Sequence, residues 1–324
     1  MTKKVMREHM DERFGKVFNF SENPPLPRSL NIELNNTCNQ KCIFCPYHGQ
    51  YAFHEPKPAM LDQKFVQQIL KQAYELGIGE KELGFYMAGE PFLYSGLASI
   101  VKYAKSLGFK YTFITTNGAL ATPERLKEIV DAGLDSIRFS INGGDSESYK
   151  KIHQADDFDK VLENVRWLDS YRKKKKISIA VSLSSVLTKQ TLNIKDEIKN
   201  TFSQYVDDII FIPVILGRID NKEVLREQLE VVDDSGEINH EYICPILFDT
   251  MYINALGKVV PCCDAYDCDL EFVDLYQDND LVKAWNCEMF KKYRNIFIGN
   301  ASDKGTICEK CILRRKGAQR LATD

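Results

Sequence analysis

The chain has 324 residues, 44% of them hydrophobic and 27% charged, with a formal net charge of -3 at pH 7. That is an ordinary globular composition, long enough for one large domain and a smaller one. It gives no basic surplus for a nucleic-acid partner, no apolar run near the ~20 residues of a membrane helix, and no apolar signal core after Met1-Thr2-Lys3-Lys4.

Residues 1–28 read as a lead-in, in which Asn23-Pro24-Pro25-Leu26-Pro27 is extended because proline disfavours helix before it. From residue 29 a pattern repeats. Strand-like apolar runs are expected at 30–36, 83–88, 110–116, 136–142, 178–187 and 208–215, with helices between them. Phe65, Ile69, Leu70, Ala73 and Leu76 share one helical face, which Gly77 closes. Leu97, Ile100, Val101, Ala104 and Leu107 share another before Gly108. Thr122 is placed to cap a helix that opens with Pro123, and Gly133 follows its end. Further helical stretches are expected at 145–153, 158–172 and 191–204. The run Lys173-Lys174-Lys175-Lys176 reads as the solvated C-terminal end of a helix.

Alternation of this kind builds a parallel sheet with right-handed crossovers. Six units are too few to close an eight-fold barrel. The expected fold is therefore α/β: a partial (β/α)6 TIM-like barrel over residues 29–215, a linker over 216–243 broken by Gly217, Asp233-Asp234-Ser235 and Gly236, and a small cysteine-rich domain over 244–324 with a hairpin near Asn254-Ala255-Leu256-Gly257. Such sheets bind ligands at the carboxyl ends of their strands.

The ten cysteines do not suit a disulfide framework in a long chain without a secretion signal. They fall into two groups, Cys38/Cys42/Cys45 and Cys244 to Cys311, with none between. Two metal sites in a reducing cytoplasm are the expectation. Three thiols on the loop after the first strand can hold three corners of an iron–sulfur cube and leave one iron open for a ligand. Zinc is the alternative, with His48 as a fourth ligand.

The C-x3-C-x2-C spacing, with Phe44 before the last cysteine, resembles the signature of the radical S-adenosylmethionine (SAM) enzymes. Ala88-Gly89-Glu90-Pro91 resembles their G-G-E-P motif, with Ala88 in place of the first glycine. Thr115-Thr116-Asn117-Gly118 and Ser140-Ile141-Asn142-Gly143 end the third and fourth strands at the same mouth. The resemblance covers about residues 28–215. It implies that Cys38, Cys42 and Cys45 ligate a [4Fe–4S] cluster whose open iron is chelated by SAM. It further implies that Gly89 and Glu90 receive the methionine ammonium and that Phe44 lies against the adenine. Thr116 and Asn117 would border the mouth, Ser140 and Asn142 would reach the ribose or carboxylate, and Ser182 or Ser184 on the fifth strand would add a contact. In that family one electron splits SAM to methionine and a 5′-deoxyadenosyl radical, which takes a hydrogen atom from the substrate.

Cys244, then Gly257-x4-Cys262, then Cys308-x2-Cys311 resembles the SPASM/twitch extension of the same superfamily. The resemblance implies that Cys244, Cys262, Cys308 and Cys311 fully ligate one auxiliary [4Fe–4S] cluster. No cysteine follows Cys311, so the shorter twitch type is expected. A four-cysteine zinc ribbon is the structural alternative. Cys263 is expected to point away from Cys262 in a strand. Cys268 is the reserve ligand, and Cys287, near Trp285, is expected to be a buried apolar residue.

The layout is most similar to twitch-containing dehydrogenases that oxidise an aminocyclitol alcohol. That similarity implies a sugar or aminocyclitol-like substrate, oxidation with the auxiliary cluster as electron acceptor, and an external one-electron donor such as flavodoxin or ferredoxin. Radical modification of a ribosomally made peptide is a second reading, against which the short stretch before Cys38 counts. Redox-neutral sugar or nucleoside chemistry is a third. A zinc-stabilised binding protein is the non-enzymatic reading.

Overall fold

The computed structural model describes residues 20–49, 57–213, 239, 241–265, 270–311 and 314. Most of the expected linker lies outside the described residues, as does Cys268. Six strands run parallel: β1 (Ser29–Ile32), β2 (Glu82–Phe85), β3 (Thr112–Thr116), β4 (Ser136–Ser140), β5 (Ala180–Leu187) and β6 (Asp208–Pro213). Each pairs with its neighbour in sequence. The crossovers carry α1 (Gln63–Leu76), α2 (Leu97–Leu107), α3 (Pro123–Asp131), α4 (Ser146–His153), α5 (Phe158–Lys175) and α6 (Lys195–Phe202). This is the expected open, partial barrel.

Gly77, Thr122 and Pro123 punctuate the helices as read, and Asp62 adds a cap the sequence reading did not name. The Asp62 carboxylate accepts the N–H groups of Lys64 and Phe65 to start α1, and Gly77, at φ +74°, closes it. Thr122 accepts the Arg125 N–H, with Pro123 in the first turn of α3. The basic run ends α5, where Lys173 also pairs with Asp169 at 2.6 Å.

Side chains alternate across each strand. Leu30, Ile32, Leu83, Phe85, Ile137, Phe139, Val181 and Leu183 join the core that the helices cover. Ser29, Asn31, Glu82, Ser136, Arg138 and Ser182 take the other face, which lines the hollow of the sheet and is mostly polar. Arg138, Ser182 and Asp208 stand side by side on β4, β5 and β6. The buried hydroxyls of Ser29, Ser136 and Ser182 make no hydrogen bond among the described residues.

The cysteine-rich segment continues the same sheet. Its first strand, β7 (Thr250–Ile253), runs parallel to β1 along the full length of β1, from Ser29↔Thr250 to Ile32↔Ile253. The expected hairpin follows: β8 (Lys258–Val260) returns antiparallel to β7. Its turn is held by the Asn254 side chain, which accepts the N–H groups of Leu256 and Lys258, and by Gly257 at φ +74°. β9 (Val273–Asp274) completes the order β6-β5-β4-β3-β2-β1-β7-β8-β9.

The lead-in and the cysteine-rich segment are also joined by side chains. Arg28 forks onto Asp249 at 2.7 and 2.9 Å. Two helices, α7 (Leu281–Trp285) and α8 (Glu288–Phe297), pack beneath the lead-in. Trp285 donates its ring N–H to the Pro25 carbonyl at 3.0 Å. Arg294 donates to the carbonyls of Leu247 at 3.0 Å and Glu22 at 3.1 Å. Its guanidinium lies 4.2 Å from the Trp285 ring centre.

Candidate active site

β1 ends at Ile32, four residues short of the expected strand, because the chain turns over the mouth. Asn35 shapes that turn. Its Oδ1 accepts the Thr37 N–H and hydroxyl at 3.0 and 2.9 Å, and its Nδ2 donates to the Glu90 carbonyl at 3.0 Å. Gly89 lies flat against this turn. A Cβ there would stand 2.1 Å from the Asn35 carbonyl oxygen and 2.9 Å from that of Thr37. Only glycine fits, whereas Ala88 is accommodated in place of the family's first glycine.

Glu90 is buried. Its Oε1 accepts the Thr116 hydroxyl at 2.7 Å and the Phe92 N–H at 3.0 Å, and its Oε2 accepts the Asn117 N–H at 2.8 Å. Burial raises its carboxyl above the ordinary range, and these donors oppose the shift. Glu90 therefore fastens the end of β3 to the loop after β2. Asn117 extends the chain of contacts: its Nδ2 donates to Asn39 Oδ1 at 2.9 Å and lies 3.7 Å from Cys38 Sγ.

The three cysteines of the loop are half-buried. The Cys45 N–H donates to the Cys42 carbonyl at 2.9 Å, and the Gly49 N–H to the Cys45 carbonyl at 3.1 Å. A Cβ on Gly49 would come within 2.5 Å of both carbonyl oxygens, so this coil also needs glycine. The backbone N–H of His48 donates to Cys45 Sγ at 3.4 Å. Burial pushes the Cys38 thiol up to about 11 and those of Cys42 and Cys45 upward, and charge on one thiol raises the others. Glu90 adds to the effect at Cys38. As thiolates these groups need a cationic centre, and N–H donors already point at their sulfurs. That donor set fits an iron–sulfur cluster.

The thiols of the second group are raised as well. Cys244 is pushed up to about 12 by burial and then by Cys311, and Cys308 up to about 12 by burial and then by Cys244 and Cys311. Cys262 is raised by burial, Asp264, Cys263 and Cys244. Burial first, then Asp264, Cys311 and Cys244, raise the Cys263 thiol as well. β8 ends at Val260, so both adjacent cysteines lie in a turn and strand alternation does not separate them. The Tyr47 hydroxyl donates to the Cys263 carbonyl at 2.9 Å, which links the two cysteine groups. Cys287 is half-buried and packs against the core at the start of α8.

The remaining expected contacts divide. Phe44 and Ser140 are half-exposed at the mouth. Asn142 is buried: its Oδ1 accepts the Val186 N–H at 2.6 Å, and its Nδ2 lies 3.2 Å from His153 Nε2. Ser182 faces the hollow beside Arg138.

Two residues escaped the sequence reading. His153 touches Cys42, and the only signal for it was its place with Tyr149 and Ile152 on the apolar face of α4. Glu33 is 4% exposed. Its two oxygens accept the N–H of Ala88 at 2.7 Å and of Ala255 at 2.9 Å, so it joins the motif after β2 to the hairpin after β7. Burial raises its carboxyl from the usual 4.5 to about 7. Between those values the folded chain keeps a proton that the unfolded chain has released, so Glu33 makes stability fall as pH rises from 4.5 to 7. Glu33→Gln should flatten that fall, because the amide does not titrate. Melting curves of both proteins across this window test it; equal slopes would show that another group titrates.

A profile of the Radical SAM superfamily matches residues 32–199. The chain belongs to that superfamily. A second profile, the SPASM iron–sulfur cluster-binding domain, matches residues 244–312. The cofactors that follow are a [4Fe–4S] cluster, SAM and an auxiliary cluster. Among curated relatives, a probable GTP 3′,8-cyclase of Sulfurisphaera tokodaii is 29% identical over 233 residues, covering 69% of this chain and 65% of that protein. One of Saccharolobus islandicus is 34% identical over 157 residues, covering 48% and 46%. The chain thus spans less than two thirds of either relative. Among solved structures, SuiB of Streptococcus suis bound to precursor peptide SuiA covers 97% of this chain and 74% of its own, with a TM-score of 0.66 at 18% identity. BtrN in complex with AdoMet and 2-DOIA covers 88% and 93%, with a TM-score of 0.57 at 16% identity. These two likenesses establish the fold. Among the described residues no helix is long and apolar enough to cross a membrane.

Proposed function

We propose that this radical SAM enzyme oxidises an alcohol carbon of a small polyhydroxylated substrate, sugar- or aminocyclitol-like, held in the hollow of the barrel. When bound, the first cluster and SAM would supply a radical that removes the carbinol hydrogen atom, and the second cluster an acceptor for the remaining electron, with the hydroxyl proton released to water. Cys38, Cys42 and Cys45 would hold the first cluster, and Cys244, Cys262, Cys308 and Cys311 the second. Gly89 and Glu90 present the backbone to the SAM ammonium, with Thr116 and Asn117 fixed behind them. Phe44, Ser140 and Ser182 supply contacts from the loop, β4 and β5, and Asn142 holds the end of β4 in place. Flavodoxin or ferredoxin is the proposed electron donor.

The observation that carries the reading is the second thiol group. It holds enough cysteines to ligate every iron of a cube, which leaves an electron-transfer site and not a second SAM site. The polar inner face with Arg138, Ser182 and Asp208 favours a hydrophilic substrate. In an anaerobic assay, Cys308→Ala should still form 5′-deoxyadenosine but yield less oxidised product per deoxyadenosine. Full coupling in a folded variant that has lost its second cluster would exclude oxidation through that site. Normal iron content would instead make Cys263 or Cys268 a ligand.

A second reading, redox-neutral chemistry on a purine nucleotide, is favoured by the identity to probable GTP 3′,8-cyclases. Turnover of GTP without an auxiliary-cluster electron transfer would replace the first reading. Peptide modification has likeness of fold alone behind it.

A further inference from the structure

The His153 ring is 1% exposed and lies between the first cysteine group and the end of β4. Its Nε2 is 3.0 Å from the backbone nitrogen of Asn142. A peptide N–H always donates, so Nε2 is the acceptor and the ring hydrogen sits on Nδ1. That hydrogen has two acceptors within reach: Gln40 Oε1 at 2.9 Å and Cys42 Sγ at 3.4 Å. The Gln40 amide is oriented by its own Nε2, which donates to the Tyr149 hydroxyl at 2.8 Å and lies 3.4 Å from Asp157 Oδ2. Its oxygen is thereby turned to the ring.

The ring cannot swing away. It stacks on Tyr149 with centroids 4.0 Å apart and planes 9° from parallel. The N–H groups of Lys41 and Ile43 donate to the carbonyls of His153 and Ile152 at 3.3 and 2.9 Å, so the end of α4 grips the cysteine loop on both sides of Cys42.

We propose that His153 is a positioning residue: it donates its Nδ1 hydrogen to the Cys42 sulfur and raises the reduction potential of the cluster that this cysteine ligates. The proposal rests on the radical SAM reading of Cys38, Cys42 and Cys45. Reduction adds negative charge that spreads onto the ligand sulfurs, and a fixed donor there stabilises the reduced form over the oxidised one. Gln40 shares the hydrogen and so moderates the effect. Water cannot replace the donor, because the ring is sealed from solvent.

The test is a redox titration of the reconstituted holoprotein, followed by electron paramagnetic resonance. The relevant signal is the one that changes when SAM is added, since only the cluster with an open iron binds it. His153→Phe keeps the stack on Tyr149 and removes the N–H. Its midpoint potential should shift downward at unchanged iron content. His153→Asn, whose amide reaches the Nδ1 position, should recover part of the shift. Gln40→Leu removes the competing acceptor and should shift the potential the other way. An unchanged potential in an iron-replete His153→Phe protein overturns the proposal. Wild-type protein labelled with nitrogen-15 in the histidine rings gives a measurement that no folding defect can spoil. The reduced cluster should show a ring-nitrogen coupling, and its absence rejects the hydrogen bond. A protein that binds no cluster at Cys38, Cys42 and Cys45 would instead sink the underlying reading.

Discussion

Replacing Cys42 by Ala should reduce SAM cleavage to background and remove about half of the iron, one of two four-iron clusters. The same is expected for Cys38→Ala and Cys45→Ala. The backbone of this loop is held without the sulfurs: Cys45 N–H to the Cys42 carbonyl at 2.9 Å, Ile43 N–H to the Ile152 carbonyl at 2.9 Å, Gly49 N–H to the Cys45 carbonyl at 3.1 Å. The second thiol group lies on separate segments, before β7, after β8 and at residues 308–311, so its cluster should persist. Iron content, with 5′-deoxyadenosine formation under dithionite, measures both halves of the expectation. Cleavage surviving in all three variants would remove these residues from the cluster.

Gly89→Ala should have the next largest effect. The added methyl meets two backbone carbonyl oxygens, at 2.1 and 2.9 Å, and neither belongs to a side chain that could swing aside. Overpacking of this kind costs about 1–3 kcal/mol, and relief requires the loop after β2 to lift off the turn at Asn35. SAM affinity should then drop about tenfold or more, for a loss of at least ~1.4 kcal/mol, together with the melting temperature. Gly77→Ala is the comparison. Gly77 sits at φ +74° with nothing within 4 Å of an added Cβ, so only left-handed strain of about 1 kcal/mol is expected there. Equal SAM binding in Gly89→Ala and wild type would show that this segment does not border the ligand.

Local chemistry carried most of the reading that held. Gly77, Thr122 and Pro123 fix helix ends through contacts a few residues away, and they could be read from neighbours alone. The strand ends could not. Residues 33–36 and 86–88 have strand-like sequence, yet Glu33, Asn35 and Gly89 draw them out of the sheet through bonds to distant segments. The same limit hid β7. Its four residues resemble any buried strand, and nothing local says that its partner is β1. Asn142 and Glu90 were legible as site residues by motif, but their geometry is that of clamps whose polar atoms face the protein. His153 was invisible for the opposite reason: a histidine at helical spacing with Tyr149 and Ile152 reads as core, and it is core, but core against a cysteine sulfur.

The parallel pairing of β1 with β7 has a consequence for the order in which the molecule assembles. A ribosome releases β1 at the start and β7 only after some 220 residues more, as the separation of Arg28 and Asp249 by 221 positions indicates. Until then one whole edge of β1 stays open, a template for pairing with other chains, and Trp285 and Arg294 have not yet arrived to cover the lead-in. Such long-range closure is slow. A fragment cut off before Thr250 would keep all six repeating units and still present that edge to its neighbours, so self-association, not a smaller working barrel, is its expected fate.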